Sequence, residues 1–217
     1  MSSQKSTSAD TAVTGAAATD VLDAGRAPKR ARGRMRVAAL LDAATLVFAE
    51  KGYDAATMTE IAARSSTAIG SLYRFFPSKE ALAEGLLHRY GERASAGLDA
   101  IAARAHDMTA AQMADALLDL MMALKSERTA LKVLMDARVD GANRRRYLLG
   151  VIRGRMAGVL SAHAPGLSAD RADLLSIMLL HLMKTIPELA EEAEAAALFQ
   201  EMRLVLSAYL TAAVAGG

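Results

Sequence analysis

Pro77 divides the most constraining stretch of this chain, "SLYRFFPSKEAL" (Ser71–Leu82). Proline has no backbone N–H and disfavours helical geometry at the residue before it, so any helix reaching Phe76 must end there. Ser78 follows as a helix N-cap residue, and Lys79-Glu80-Ala81-Leu82 begins the next helix. One helix is forced to stop and another to start within three residues. Three of the chain's nine Phe and Tyr residues, Tyr73, Phe75 and Phe76, gather just before this break, and the chain has no Trp.

Upstream, Val37, Leu40, Leu41, Ala44, Val47 and Phe48 recur at helical spacing. They predict a first helix over 34–51, which Gly52 stops. Thr57 and Glu60 form a T-x-x-E capping box, each side chain satisfying a backbone N–H, and open a short second helix over 58–64. Ile61 and Ala62 face inward. A break at Ser65-Ser66 precedes a third helix over 68–75. Leu72 and Phe76, four apart, pin it by one apolar stripe. Its other face holds Thr67, Ala68, Ile69, Ser71, Tyr73 and Arg74, left to solvent or a partner. A longer helix followed by two short ones joined by a tight turn is a helix-turn-helix pattern. The outward face of the last helix is small enough to enter a DNA major groove about 12 Å wide.

Composition supports helix everywhere else. Ala, Leu, Met, Glu and Arg dominate while β-branched and aromatic residues are sparse, so the fold class is all-α. With 217 residues, 53% of them hydrophobic, the chain can bury a sizeable core. A fourth helix runs from Lys79 to about residue 105. Further helices are predicted at 109–125, 127–139, 143–163, 168–186 and 189–215, punctuated by Gly141, Pro165-Gly166 and Pro187. Residues 1–27, rich in Ser, Thr, Ala, Gly and Asp, bury too little to order themselves and are expected to be disordered.

Net charge is only +2, but it is unevenly placed. Residues 26–93 hold 12 basic and 7 acidic groups, whereas residues 94–217 hold 13 and 14. The basic excess includes "RAPKRARGRMR", six cations without an acid. This run is either a solvated charge stretch or an arm, with Arg30, Arg32 and Arg34, that lies on phosphates or enters a minor groove.

Several classes are excluded. The absence of cysteine removes disulfides, thiolate metal sites and cysteine nucleophiles, and fits a reducing compartment. The longest strongly apolar run, Leu174–Met183, is about half the roughly 20 residues a membrane span needs. The N-terminus lacks the order of a secretory signal, so a cytoplasmic protein is expected. His88, His106, His163 and His181 are far apart, and no phosphate loop or nucleophile elbow occurs. No enzyme activity, metal or cofactor is expected.

Residues 36–87, with "FAEKGYDAATMTEIA" and "GSLYRFFPSKEAL" in order and at the right spacing, resemble the DNA-binding domain of the tetracycline-repressor (TetR) family of bacterial transcription regulators. The resemblance implies that Tyr73, Lys79 and Thr57 contact DNA phosphates. Phe76 would be the plug fixing the third helix to the fourth. The turn departs from the family's usual Ala-Gly-Val-Ser, reading Ser65-Ser66-Thr67-Ala68. Ser66 is expected to take a left-handed conformation at a cost of ~1 kcal/mol. With alanine at 68, Ser66 or Thr67 would have to cap the third helix. Ile69 and Ala68 are candidates for a thymine methyl, and Ser71 and Arg74 for a base edge or phosphate.

The resemblance also implies a division at 28–87 for DNA and 88–217 for ligand binding and dimerisation. A homodimer would read a palindromic operator in double-stranded DNA and be released by a small apolar or amphipathic inducer. The helix in "DRADLLSIMLLHLMKTIPELA" (170–190) is apolar nearly all round, so it must be buried from two sides. Leu175, Leu179 and Leu182 on it, with Leu198, Met202, Val205 and Tyr209 on the last helix, are the candidate dimer interface. Methionines crowd the middle helices and suit an adaptable pocket. Met121, Met122, Met135, Met156, Met178 and His181 are its candidate lining, with Arg138 and Arg153 as candidate anchors for an anionic group. Two other readings fit: a DNA-binding regulator switched by a protein partner or not at all, and a helical protein-interaction scaffold.

Overall fold

The computed structural model describes residues 14–136 and 141–215, with side chains for 30–134 and 146–214 apart from Pro187. Among these residues every regular element is helical. The first, α1 (Thr14–Ala55), contains Gly52 at φ +79°, outside helical geometry, so regular helix ends at Lys51 as the sequence predicts. Its start differs. Backbone expected to be disordered over 14–27 is helical; the Ala16–Ala18 run has the highest helix propensity, and extending an existing helix needs no new nucleus. Residues 1–13 of that tail lie outside the described residues.

Two short helices follow, α2 (Met58–Arg64) and α3 (Ile69–Phe75). Pro77 and Ser78 act as expected: the Ala81 N–H donates to Ser78 Oγ at 3.1 Å, opening α4 (Lys79–Ala102). The expected domain boundary at 87/88 thus falls inside one continuous helix. A 3-10 turn at Ala105–Asp107 leads to α5 (Ala110–Ala123), closed at its start by a Thr109–Gln112 capping box. Then come α6 (Lys125–Asp136), α7 (Gly141–His163) and α8 (Ala169–Lys184). The short α9 (Ile186–Leu189) has Pro187 in its first turn, where the missing N–H costs nothing. The last helix, α10 (Ala195–Ala215), starts six residues later than predicted because α9 and a turn occupy the intervening chain.

Packing sets which helices speak to each other. α6 lies along α1, α7 lies along both α4 and α8, and α10 lies along α5. A single apolar cluster runs from Leu40 and Phe48 of α1, through Leu82 and Leu98 of α4, to Met156 of α7, Leu179 of α8 and Leu206 of α10. The helix-turn-helix and the larger bundle therefore share one core. α4 fits among its neighbours through three glycines. A Cβ at Gly85 would stand 2.8 Å from a Phe76 ring carbon, one at Gly91 2.7 Å from Leu148 Cδ1, and one at Gly97 within Leu120. Six residues advance a helix by about 240°, so these notches face three directions, toward α3, α7 and α5.

Candidate nucleic-acid interface

The reading helix is held from one side. Leu72 is fully buried, and the Phe76 ring packs on Gly85 and the core cluster, as the apolar spacing predicts. Opposite them Ala68, Ile69, Gly70, Tyr73 and Arg74 are exposed; Ile69 and Tyr73 keep 40% and 49% of their surface in water. Two large side chains thus stand open on a seven-residue helix. The Arg74 guanidinium stands over the Phe75 ring, 5.1 Å from its centre.

The turn before α3 is strained as expected: Ser66 sits at φ +52°. The cap is not as expected. Ala68 occupies the N-cap position without a side-chain bond, and the Thr67 hydroxyl donates back to Ser65 O at 3.3 Å. Neither Ser66 nor Thr67 caps α3, because the tight turn directs both hydroxyls away from its first N–H groups. Ser71 also departs from expectation. Its Oγ is buried without a hydrogen-bond partner, on the inner side of α3 and away from the exposed row.

Thr57 is exposed and accepts from the Glu60 N–H at 3.2 Å, which leaves its own O–H free to donate to a phosphate. Half of the predicted capping box is missing. The Glu60 carboxylate pairs with Lys51 across α1 and α2 (2.5 Å) instead of returning to the cap. Arg64 forks onto Glu50 at 2.5 and 2.7 Å and holds that carboxyl below its ordinary 4.5.

Lys79 is the clearest correction. Expected on a phosphate, it directs its ammonium into the protein, donating to Tyr53 O (2.7 Å), Asp54 O (3.1 Å) and Ala56 O (3.0 Å). It also stands 4.6 Å above the Tyr53 ring. Tyr53 is buried, packs on Phe48 and donates its hydroxyl to Glu80 Oε1 at 2.7 Å. Three N–H donors satisfy three carbonyls left open where Gly52 ends the regular helix. This staple between the ends of α1 and α4 was missed by sequence reasoning. Its signal was the Gly-Tyr step beside a Lys-Glu pair in the first turn of the next long helix.

Arg30, Arg32, Arg34 and Arg36 are exposed on the N-terminal part of α1. Arg74 is exposed as well, and Lys51, Arg64, Lys79 and Arg89 are engaged in protein contacts.

The residues expected to line a ligand pocket do not converge. Met121 and Met156 are buried core, Met122 is exposed, and Met178 and His181 lie on the outside of α8. The Met135 side chain and all of Arg138 lie outside the described residues. Arg153 is occupied by the Asp173 carboxylate of α8, which it holds below the ordinary value. A cleft of about 340 Å³ lies between the 3-10 turn and α5, lined by Arg104, Asp107, Met108, Gln112, Asp115 and Asp119 among others. Among the described residues, none of those expected to line a pocket reaches it.

The expected dimer residues divide. Leu175 and Leu179 are buried against the chain's own core, because that row of α8 faces α7, so they have no surface for a second copy. The outward row of α8 is one residue back, Leu174 at 52% exposure and Met178 at 44%. Leu182, Leu198, Met202 and Tyr209 are half-buried, and Val205 is exposed beside Leu204 on α10.

This geometry defines an all-helical protein with an outward-facing helix-turn-helix. Residues 40–86 match the family described as bacterial regulatory proteins, tetR family, and residues 109–210 match the tetracyclin repressor-like C-terminal domain. The chain belongs to the TetR family. It is 41% identical over 66 residues to the HTH-type transcriptional repressor KstR of Mycolicibacterium smegmatis, covering 30% of this chain and 32% of that one. The match thus spans about a third of the repressor's length. Similar solved structures include Salmonella enterica GusR (TM-score 0.63, 20% identity, covering 84% of this chain and 95% of that one). A TerR/AcrR-family transcriptional regulator from Aquifex aeolicus VF5 is also similar (TM-score 0.58, 21% identity, 79% and 97% covered). At these identities the likeness is one of fold.

Proposed function

We propose that this chain is a cytoplasmic, DNA-binding transcriptional repressor that acts as a homodimer on a palindromic operator. The observation that carries this reading is the two-sidedness of α3. Leu72 is locked in the core while Ile69, Tyr73 and Arg74 stand open in a row. Ile69 and Ala68 offer methyl contact to thymine, Tyr73 and Thr57 offer hydroxyls to phosphates, and Arg74 offers a forked donor. The exposed arginines of α1 would add phosphate contacts beyond the groove. The repressor assignment rests on the likeness to the KstR repressors over 66 residues.

Dimerisation would cover the outward row of α8, Leu174 and Met178, and the Leu204–Val205 step of α10, with Leu182, Leu198, Met202 and Tyr209 at the margins. A two-fold pair would place two copies of α3 about 34 Å apart, one helical turn of DNA. Release by a small apolar or amphipathic ligand is supported by the match of residues 109–210 to the tetracyclin repressor-like domain. No helix among the described residues is long and apolar enough to cross a membrane.

The test is a mobility-shift titration against the DNA flanking the protein's own gene. Tyr73→Phe should weaken binding to every sequence. Arg74→Gln should weaken it too and reduce the salt slope by about 0.9 if its guanidinium neutralises a phosphate. Wild-type binding no tighter than to unrelated duplex at the same salt would refute the proposal.

A further inference from the structure

Glu127 is a carboxylate buried where α1, α4 and α6 meet, with its side chain only 6% exposed. One of its oxygens, Oε1, accepts from Arg93 Nη1 at 2.7 Å and lies 3.1 Å from Arg89 Nε. The other, Oε2, is buried and has no hydrogen-bond partner. Arg89 faces two ways. Its Nη1 donates to Asp42 Oδ1 at 2.7 Å and its Nη2 to Thr45 Oγ1 at 3.1 Å, both on α1, while its Nε abuts Glu127 of α6. One guanidinium on α4 therefore ties the first helix of the reading head to a helix of the bundle.

Such a group is a poor device for stability alone. Withdrawing a carboxylate from water costs more than an imperfectly satisfied pair returns, and an apolar residue of similar volume would do as well. In some proteins such a pair serves register instead, by favouring the one relation of two helices that keeps it paired. The register here matters at the far end of α6. Val133 Cγ1 lies 3.9 Å from where a Cβ on Gly52 would stand, and Gly52 is the non-helical joint through which α1 turns toward α2. Val133 thus meets α1 directly, while Glu127, about 240° round α6, holds α4 by charge and reaches α1 only through Arg89.

We propose that Glu127 is a positioning residue for DNA binding: it latches α6 onto α1 and α4 and so sets the angle at which the reading head is presented. The inference rests on the DNA-binding reading above. With both arginines engaged, the head and α6 move as one body. With the carboxylate neutralised, Arg89 and Arg93 face each other without an anion between them, α6 loosens from α1, and the head swings about Gly52.

The test uses the full chain and four proteins: wild type, Glu127→Gln, Glu127→Asp and Arg93→Gln. Amide exchange followed by mass spectrometry needs no DNA. In Glu127→Gln it should rise about tenfold over 40–56 and 125–134 while α5, α8 and α10 keep wild-type protection. Affinity for a duplex selected by the wild type should fall about tenfold with an unchanged salt slope, because no phosphate contact is lost. Glu127→Asp, which keeps the charge at shorter reach, should recover part of both effects. Arg93→Gln retains the Arg89–Glu127 contact and should show the same regional pattern more weakly. It decides the matter if Glu127→Gln does not fold. Protection lost evenly across the molecule, or unchanged over 40–56, would overturn the latch. A wild type that selects no duplex would instead defeat the DNA reading, and the exchange data would still judge the latch.

Discussion

Lys79 shows how one side chain can match a family pattern and still be used differently. Its ammonium serves the Tyr53, Asp54 and Ala56 carbonyls, and Ala56 is nearly fully buried, so removing the donors would strand at least one acceptor away from water. Lys79→Met is expected to cost about 2 kcal/mol, readable by chemical denaturation, since charged hydrogen bonds contribute more than neutral ones. It should weaken DNA binding without reducing the salt slope; a slope smaller by about 0.9 would mean that Lys79 does touch a phosphate. The Gly-Tyr step and the Lys-Glu pair hint at this staple in the sequence, but the lysine's partners depend on where Gly52 leaves the end of α1. Ser71 is a similar case. Its position in a seven-residue helix was legible, but a half-turn of uncertainty in facing decides whether its hydroxyl meets a base or the core.

Helices were legible wherever a stop signal and an apolar stripe coincided. Gly52, Pro77 and Ser78 placed the ends of α1, α3 and α4, and Leu72 identified the buried edge of α3. The facing of α8 was not legible, because a helix apolar nearly all round gives periodicity little to discriminate; its inner row proved to be Leu175 and Leu179. The glycines of α4 were also silent, being unremarkable until their neighbours are known. Gly85→Ala would place a Cβ 2.8 Å from the Phe76 ring and 3.3 Å from Leu41 Cδ2. Overpacking of about 1–3 kcal/mol should outweigh the helix-propensity gain of up to about 1 kcal/mol, lowering the melting temperature. Because Phe76 ends α3, DNA affinity should fall as well. Ion pairs between helices set the acid response. Arg64 lowers the Glu50 carboxyl and Arg153 lowers Asp173, from ordinary values of 4.5 and 3.8. Groups with depressed folded values stabilise fully above those ordinary values and lose that contribution as pH falls through the folded ones. The melting temperature should therefore decline on acidification below about pH 4.5, slightly less steeply in Glu50→Gln, as exposed pairs contribute modestly.

The molecule as a whole joins a small head to a larger bundle through one core and one long helix, α4, so the head cannot tilt without the bundle registering it. The open apolar rows on α8 and α10 and the open face of α3 are two unsatisfied surfaces of one chain, and a two-fold pair bound to duplex DNA would satisfy both. Selection of bound duplexes from a random pool, run in parallel on the wild type and Ile69→Ala and followed by footprinting, tests this most directly. A groove-reading α3 in a dimer predicts enrichment of a two-fold symmetric site, with half-sites one helical turn or a multiple apart, and a changed preference at the same base pairs of both half-sites in Ile69→Ala. No enrichment, or identical preferences from the two proteins, would contradict it.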